Sequence, residues 1–419
     1  MKLFKVVTIL ALAALTLSVQ FTSSCNGVLH QQQSFQLDTP FSSVLPASTS
    51  GRPTDTDRPV TSLDVMTYNV FMRPGPVSWG DANDCRATAI GKELAQRADK
   101  LDIVALNESF SKDAVDNLVE TVGQRFPYRV LRRPEAKPLR VNGGVSLLSR
   151  FPIRDVYTQT YDACAFDDCL ASKGFLHAVI EISDSLRVNV LASHLESGSS
   201  NADRRARHQQ IQTIRDYMDK HKVGRDWPTL LMGDLNVDGI KGPIGALTDG
   251  TDARSEYRTM LSTLSKPCSQ CADAGCSSLC GQKPADVVSA SDGPWSFNAD
   301  QTAPVNSLNC VDQSVAPCSS PNARPNWKKR ERLDYILSFD QPRSSGVQLD
   351  VRDASHVPFR KDVCGGEYLS DHQAVEASFD INRPALVDDS PDDAPVSEDP
   401  TVADASESDD EGSAEERTR

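Results

Sequence analysis

Thr229-Leu230-Leu231-Met232-Gly233-Asp234-Leu235-Asn236 is an apolar run of strand length that breaks at a glycine and then delivers two polar side chains. Alone it reads as a strand followed by a turn, because Gly, Asp and Asn are ordinary turn formers. The arrangement recurs at distant places. Thr67-Tyr68-Asn69-Val70 closes the alternating stretch from Leu63, and Leu106-Asn107-Glu108 closes the apolar stretch from Asp102. Ser370-Asp371-His372 adjoins the strand pattern Gln373–Phe379, and Ala192-Ser193-His194-Leu195 puts a second histidine at another strand end. One sheet edge can gather them all. The set then offers a hard carboxylate for a cation, carboxamides for phosphate oxygens and two imidazoles for protons, which metal-assisted hydrolysis of a phosphate ester requires.

The intervening sequence predicts the scaffold. Ala89, Ile90, Leu94 and Ala98 give helical spacing over Arg86–Asp99, as do Val115, Leu118, Val119 and Val122 over Asp113–Val122. The longest helical pattern is Asp203–Lys222, with Ile211, Ile214, Tyr217 and Met218 as its buried stripe. Further strands are expected at Val145–Ser149 and Leu333–Leu337, and as a hairpin of Phe175–Ile182 with Arg187–Ala192. Phe151-Pro152-Ile153 is expected to turn away, and about 240–330 to be an irregular insertion, cysteine-rich over about 264–320. Strands with one apolar face, interleaved with helices, predict an α/β protein of two packed sheets with helices outside. No G-x-G-x-x-G follows a strand and no phosphate-binding loop motif is present, which argues against a parallel-only nucleotide fold.

Charge and cysteines divide the chain further. The 419 residues carry a net charge of −14, yet residues 388–416 alone hold thirteen acids and no Lys or Arg; removing them leaves −1 for the rest. The acidic stretch, within a tail expected to be disordered over 383–419, cannot bury enough apolar surface to offset chain entropy. A near-neutral body disfavours a sequence-tolerant nucleic-acid binder, which draws affinity from a Lys/Arg surplus. Lys2 and Lys5 before the apolar Val6–Val19 read as an export signal over residues 1–25. Cys25 fits a lipoprotein signal in which the thiol is acylated, although Thr22 replaces the usual Leu; simple cleavage nearby is the other reading. Residues 26–61, rich in Gln, Ser, Thr and Pro, read as a disordered tether to a folded domain over 62–382. The ten cysteines other than Cys25 are an even set, and in an exported, secreted or envelope-associated chain they predict disulfides of unspecified pairing rather than a zinc site.

Each candidate site residue has a role that its chemistry suggests. Glu108 is the leading ligand for magnesium, which takes oxygen ligands and needs only one or two protein carboxylates; Asn69 sits near enough to orient phosphate or metal-bound water. Asp234 would orient the attacking water or share the metal, and Asn236 would donate to phosphate oxygens. His372 is the candidate general base, with Asp371 or Asp334 fixing its tautomer, and His194 would protonate the departing alkoxide or bond a phosphoryl oxygen. Serine nucleophile chemistry is disfavoured, since no G-x-S-x-G elbow is present.

Taken in order, Thr67-Tyr68-Asn69, Asn107-Glu108, Ser193-His194-Leu195, Gly233-Asp234-Leu235-Asn236, Leu333-Asp334-Tyr335 and Ser370-Asp371-His372 resemble the deoxyribonuclease-I-like superfamily of endonucleases, exonucleases and phosphatases, over roughly residues 63–380. The resemblance implies a four-layered α/β sandwich of two mixed sheets flanked by helices. It implies Mg2+, with Mn2+ or Co2+ as substitutes, at Glu108, Asn69, Asp234 and Asp371. Asn142-Gly143-Gly144-Val145, Ser172-Lys173-Gly174-Phe175 and His194-Leu195-Glu196-Ser197 look most like the sphingomyelinase C branch. That branch implies sphingomyelin in a membrane as substrate, ceramide and phosphocholine as products, and Lys173 approaching the lipid phosphate. Ser172 departs from some relatives, which carry there an Asp partner for the lysine, and no hydrophobic hairpin for membrane insertion is identifiable; Trp295 and Phe297 are the nearest aromatics. A secreted magnesium-dependent nuclease and a non-catalytic surface binding protein are the other readings. Arg324-Pro325-Asn326-Trp327 gives a weak likeness to inositol-phosphate phosphatases, and no protein partner is inferable.

Overall fold

The computed structural model describes residues 60–239 apart from 76 and 79–80, together with 253–265, 282–287, 297–298, 330–339 and 345–383 apart from 365. Residues 1–25, expected to be an export signal, nearly all of the expected tether, the acidic segment beyond residue 383 and most of the cysteine-rich segment lie outside them. The first half of the fold runs β1 (Ser62–Met72), α1 (Asn83–Arg97), β2 (Ile103–Ser109), α2 (Lys112–Val122), β3 (Tyr128–Arg133), β4 (Val145–Ser149), β5 (Ile153–Thr160), β6 (Gly174–Ser183) and β7 (Leu186–His194). The second runs α3 (Asn201–His221), β8 (Thr229–Asp234), α4 (Ala253–Leu264), β9 (Pro284–Asp286), β10 (Phe297–Asn298), β11 (Arg330–Glu331), β12 (Asp334–Phe339), β13 (Gln348–Val357), β14 (Arg360–Val363), β15 (Gly366–Tyr368) and β16 (Ala374–Asn382).

Two six-stranded mixed sheets, ordered β13-β16-β1-β2-β4-β3 and β5-β6-β7-β8-β12-β9, pack face to face. Each has one parallel pair, β1 with β2 and β7 with β8. Period-two alternation divides the apolar residues between layers. Leu63, Val65, Ile103 and Ala105 meet Leu176, Val190, Leu230, Met232 and Ile336 between the sheets. The alternate residues Met66, Tyr68, Val104 and Leu106 pack under α1 and α2, while Leu191, Leu231, Tyr335 and Leu337 pack under α3 and α4. The result is the expected four-layered sandwich. Helix starts are written locally: Ser111 Oγ accepts from Ala114 N–H, and Ser200 and Asp203 form a reciprocal capping box.

The structure adds elements that the sequence pattern does not reveal. β3, β5, β9 and β13 are extra strands, so Ile153 begins a strand rather than merely turning away, and the irregular insertion contains α4. Four of the cysteines pair as Cys85–Cys364 and Cys164–Cys169; Cys268, Cys271, Cys276, Cys280, Cys310 and Cys318 lie outside the described residues.

Two buried polar side chains hold the architecture where the site will lie. Asn107 bridges the sheets: its Nδ2 donates to Ser193 O at 2.9 Å, and its Oδ1 accepts from Asp234 N–H at 3.1 Å. Arg86 at the start of α1 donates to the carbonyls of Asp81 (2.7 Å), Val70 (2.8 Å), Leu369 (2.9 Å) and Phe71. It thereby ties the end of β1 to the segment before Ser370. An Arg86→Leu substitution strands these buried carbonyls, each worth roughly 1–3 kcal/mol when left unpaired. We expect a stability loss of about 3 kcal/mol or more, read by urea unfolding; a loss within about 0.5 kcal/mol, typical of a surface change, contradicts the assignment.

Candidate active site

The alternation that builds the inter-sheet core also aims the site residues. On β1 and β2 the inward phase runs through Leu63 and Val65, and Ile103 and Ala105, then reaches Thr67, Asn69 and Asn107. Asn69 and Asn107 are register partners. On the opposite sheet His194, Asp234 and Asp334 stand side by side on β7, β8 and β12, in the phase that carries Val190, Met232 and Ile336. Gly233 is required here, because a Cβ at its φ of +146° would lie 1.9 Å from Ser193 O. Glu108 and Asn236 leave their strands in left-handed backbone, at φ +53° and +52°.

These ends converge on one oxygen. Asp234 Oδ2 accepts from Asn69 Nδ2 at 2.9 Å and lies 3.7 Å from His194 Nε2 and 3.8 Å from His372 Nε2. Asn69 Nδ2 also donates to Glu108 Oε1 at 3.1 Å. The carboxylate against His372 Nδ1, at 2.7 Å, is Asp334. Asp371, the sequence neighbour that could have filled that orienting role, has its Oδ1 3.4 Å from Ser370 Oγ instead. Ser370 Oγ also donates to Asn69 O at 2.6 Å, fastening the histidine's segment to the end of β1.

The second histidine has a cationic neighbour. Lys173 Nζ lies 3.4 Å from His194 Nε2 and donates to Asp168 Oδ2 at 2.7 Å and Leu195 O at 2.9 Å. Asn236 Nδ2 donates to the same Leu195 carbonyl at 3.1 Å, so both phosphate-directed candidates meet at one point. The lysine does have an acidic partner, then, but from five residues upstream rather than at Ser172, whose Oγ accepts from Lys137 N–H at 3.1 Å. Sequence reasoning missed Asp168. Its only signal is its place inside the short Cys164–Cys169 loop before Lys173.

The charges separate the two imidazoles. Burial alone would lower His372, but Asp334 and Asp234 outweigh it and raise its pKa well above the ordinary value. Burial and Lys173 hold His194 well below the ordinary value. Burial and Asp334 push Asp234 up to about 7, and burial and Asp371 raise Glu108. Lys173 overcomes the effect of burial on Asp168 and brings it down to about 2.

Ligand atoms of Glu108, His194 and Asp234 lie within 4.8 Å of one another, as do those of Asp234, Asp334 and His372. Hard carboxylate oxygens that raise one another's proton affinity suit a divalent cation, which would offset their charge. One expected ligand presents no oxygen here: Asn69 turns its amide nitrogen toward the carboxylates while its Oδ1 accepts from Phe71 N–H at 3.0 Å. An N–H group bridges carboxylates but cannot ligate a cation. Asp371 lies outside these two groups, yet it is the charge that most raises Glu108.

A family model for the Endonuclease/Exonuclease/phosphatase family matches residues 66–372, and the chain belongs to that family. It is a hydrolase of the phosphodiesterase type found there. A phospholipase C from Staphylococcus aureus is 28% identical over 343 residues, spanning 76% of this chain and 87% of the relative. A sphingomyelinase C from Bacillus cereus is 29% identical over 230 residues, spanning 50% and 65%. The crystal structure of a beta toxin from Staphylococcus aureus superposes with a TM-score of 0.53 at 25% identity, covering 75% of this chain and 99% of that one.

His372 and Asp234 both bind protons more tightly in the folded chain than when unfolded. Their contribution to stability is complete below the unfolded values and is lost as pH rises through the folded ones. Cation-free protein should therefore lose stability from about pH 4 to pH 7 as Asp234 gives up its proton, and further above about pH 6.5, the unfolded histidine value, as His372 does. The His372 ring resonance should titrate late, Asp334→Asn should bring it down, and a divalent cation should raise Tm most at high pH. A His372 titration unmoved by Asp334→Asn contradicts the pairing.

Proposed function

We propose that the protein is an exported, Mg2+-dependent phosphodiesterase that hydrolyses membrane sphingomyelin to ceramide and phosphocholine. The observation that carries this reading is the convergence on Asp234 Oδ2 of an amide, two imidazoles and, through Asn69, Glu108. Similarity to proteins described as phospholipase C and sphingomyelinase C supports the choice of lipid. The export-type N-terminus and the described disulfides support an oxidising compartment outside the cytosol.

Glu108 and Asp234 would hold the cation, whose chemistry is to offset charge on the phosphoryl oxygens. His372 has its Nδ1 proton committed to Asp334, so its Nε2 is the atom that takes a proton from the attacking water. It is a base only when neutral, and the rate should climb with pH through its pKa. Asn69 keeps Asp234 and Glu108 at fixed separation. Across the site His194 Nε2 meets the leaving alkoxide or a phosphoryl oxygen, while the ammonium of Lys173 beside it supplies positive charge for the phosphate.

Sphingomyelin vesicles should release phosphocholine with Mg2+ and none with a chelator. Glu108→Gln and His372→Ala should each cut the rate by about 10²–10⁴-fold. Nicking of plasmid at low salt without phosphocholine release would assign the same site to a nuclease instead.

A further inference from the structure

The three most exposed large apolar side chains among the described residues are Leu139, Phe166 and Leu170, at 99%, 73% and 59% exposure. They lie on two segments laced to each other. Val141 N–H donates to Leu170 O at 2.9 Å, Ser172 N–H to Val141 O at 2.9 Å and Lys137 N–H to Ser172 Oγ at 3.1 Å. Leu139 and Phe166 stand in left-handed backbone, at φ +62° and +49°, an unfavourable conformation for bulky residues without a glycine. Two apolar side chains held toward water by costly backbone, with a third beside them, point to a use for the exposed group. The Cys164–Cys169 disulfide closes the loop that carries Phe166.

We propose that Leu139, Phe166 and Leu170 form a membrane-docking surface whose occupant is a phospholipid bilayer. This rests on the lipid-substrate reading above and adds to it the face by which the enzyme meets its substrate. Continuity with the site favours a bilayer over a protein partner: Asp168, two residues from Phe166, bonds Lys173 Nζ and Ser197 N–H, and that lysine lies 3.4 Å from His194. Charge favours it too. Arg132, Arg133, Lys137 and Arg140 lie within seven positions of Leu139 along the chain, opposed by Glu135, which pairs with Arg133, and by Asp167 next to Phe166. Basic side chains beside an apolar tip suit the phosphates of lipid head groups while the tip enters the acyl boundary.

The test uses the exported protein carrying Cys25→Ser, which removes any acyl anchor. Sedimentation with sphingomyelin–phosphatidylcholine vesicles in chelator reads binding without turnover. Leu139→Asp, Phe166→Asp and Leu170→Asp should each weaken vesicle binding by about tenfold or more. Val351→Asp, at another exposed apolar residue, should leave it unchanged. With Mg2+, the ratio of the rate on vesicles to that on water-soluble p-nitrophenyl phosphocholine should fall in parallel, with thermal unfolding as the check on folding. Wild-type vesicle binding by all three variants overturns the proposal. If the surface variants lose binding while the wild type releases no phosphocholine, the docking face stands and the sphingomyelinase reading fails. Phosphocholine release from vesicles at wild-type rate by all three has the opposite meaning.

Discussion

Asp234 Oδ2 is where the two halves of the molecule meet chemically. It receives Asn69 from one sheet and faces both histidines, while the backbone N–H of the same residue is held by Asn107. Such an oxygen can be shared only if two sheets, each with its own helices, pack at fixed separation and register. A slip of one residue in β8 would turn Asp234 to the helix side and Leu235 toward the site, because strand side chains alternate. The inter-sheet core therefore does more than stabilise. Met232 and Ile336 are inside for the reason that Asp234 and Asp334 are inside, and site and core share one phase.

The electrostatics follow from how charge is distributed about that oxygen. His372 is flanked by Asp334 and Asp234; His194 is flanked by Lys173, itself engaged by Asp168. Imidazoles of one intrinsic pKa are thereby driven in opposite directions, one toward holding a proton and one toward releasing it. With no cation bound, His372 therefore holds its proton to higher pH than His194 does, and the separation comes from Asp334 and Asp234 on strands and from Lys173 just ahead of β6. The surplus of carboxylate about Asp234, from Glu108 on one side and Asp334 on the other, is what suits the centre to a divalent cation.

How much of this was legible in the sequence follows burial. β1, β2, β4, β6, β7, β8, β12 and β16 are each flanked by strands on both sides, and all were readable as apolar or alternating runs. β3, β5, β9 and β13 are sheet edges, and none was readable. Edge strands carry exposed and charged side chains that blunt further pairing, which erases the pattern that reveals a strand. β13 adds a bulge between Val351 and Asp353 that breaks the alternation outright. Glu108, His194, Asp234 and His372 were legible because each ends a strongly patterned strand or adjoins one. Asp168 was not, because it sits in an exposed 3-10 turn whose meaning depends on where Lys173 folds. The tautomer-fixing carboxylate was ambiguous for a related reason: Asp371 adjoins His372 in sequence, but Asp334 adjoins it in space.

The distance in sequence between the partners explains where the chain places its strongest fastenings. His372 Nε2 and Asn69 Nδ2 lie 3.5 Å apart although 303 positions separate their residues. Bringing such remote segments together costs chain entropy that a few site hydrogen bonds do not offset. Cys85–Cys364, spanning 279 positions, joins the start of α1 to the final segment just ahead of Ser370. On the chain-entropy account a crosslink over so long a loop restricts the unfolded state by about 5 kcal/mol. Arg86, the very next residue, bonds carbonyls on both sides of that junction. Covalent and polar ties thus coincide where His372 enters the site, and that histidine is positioned by α1 as much as by the strand it precedes.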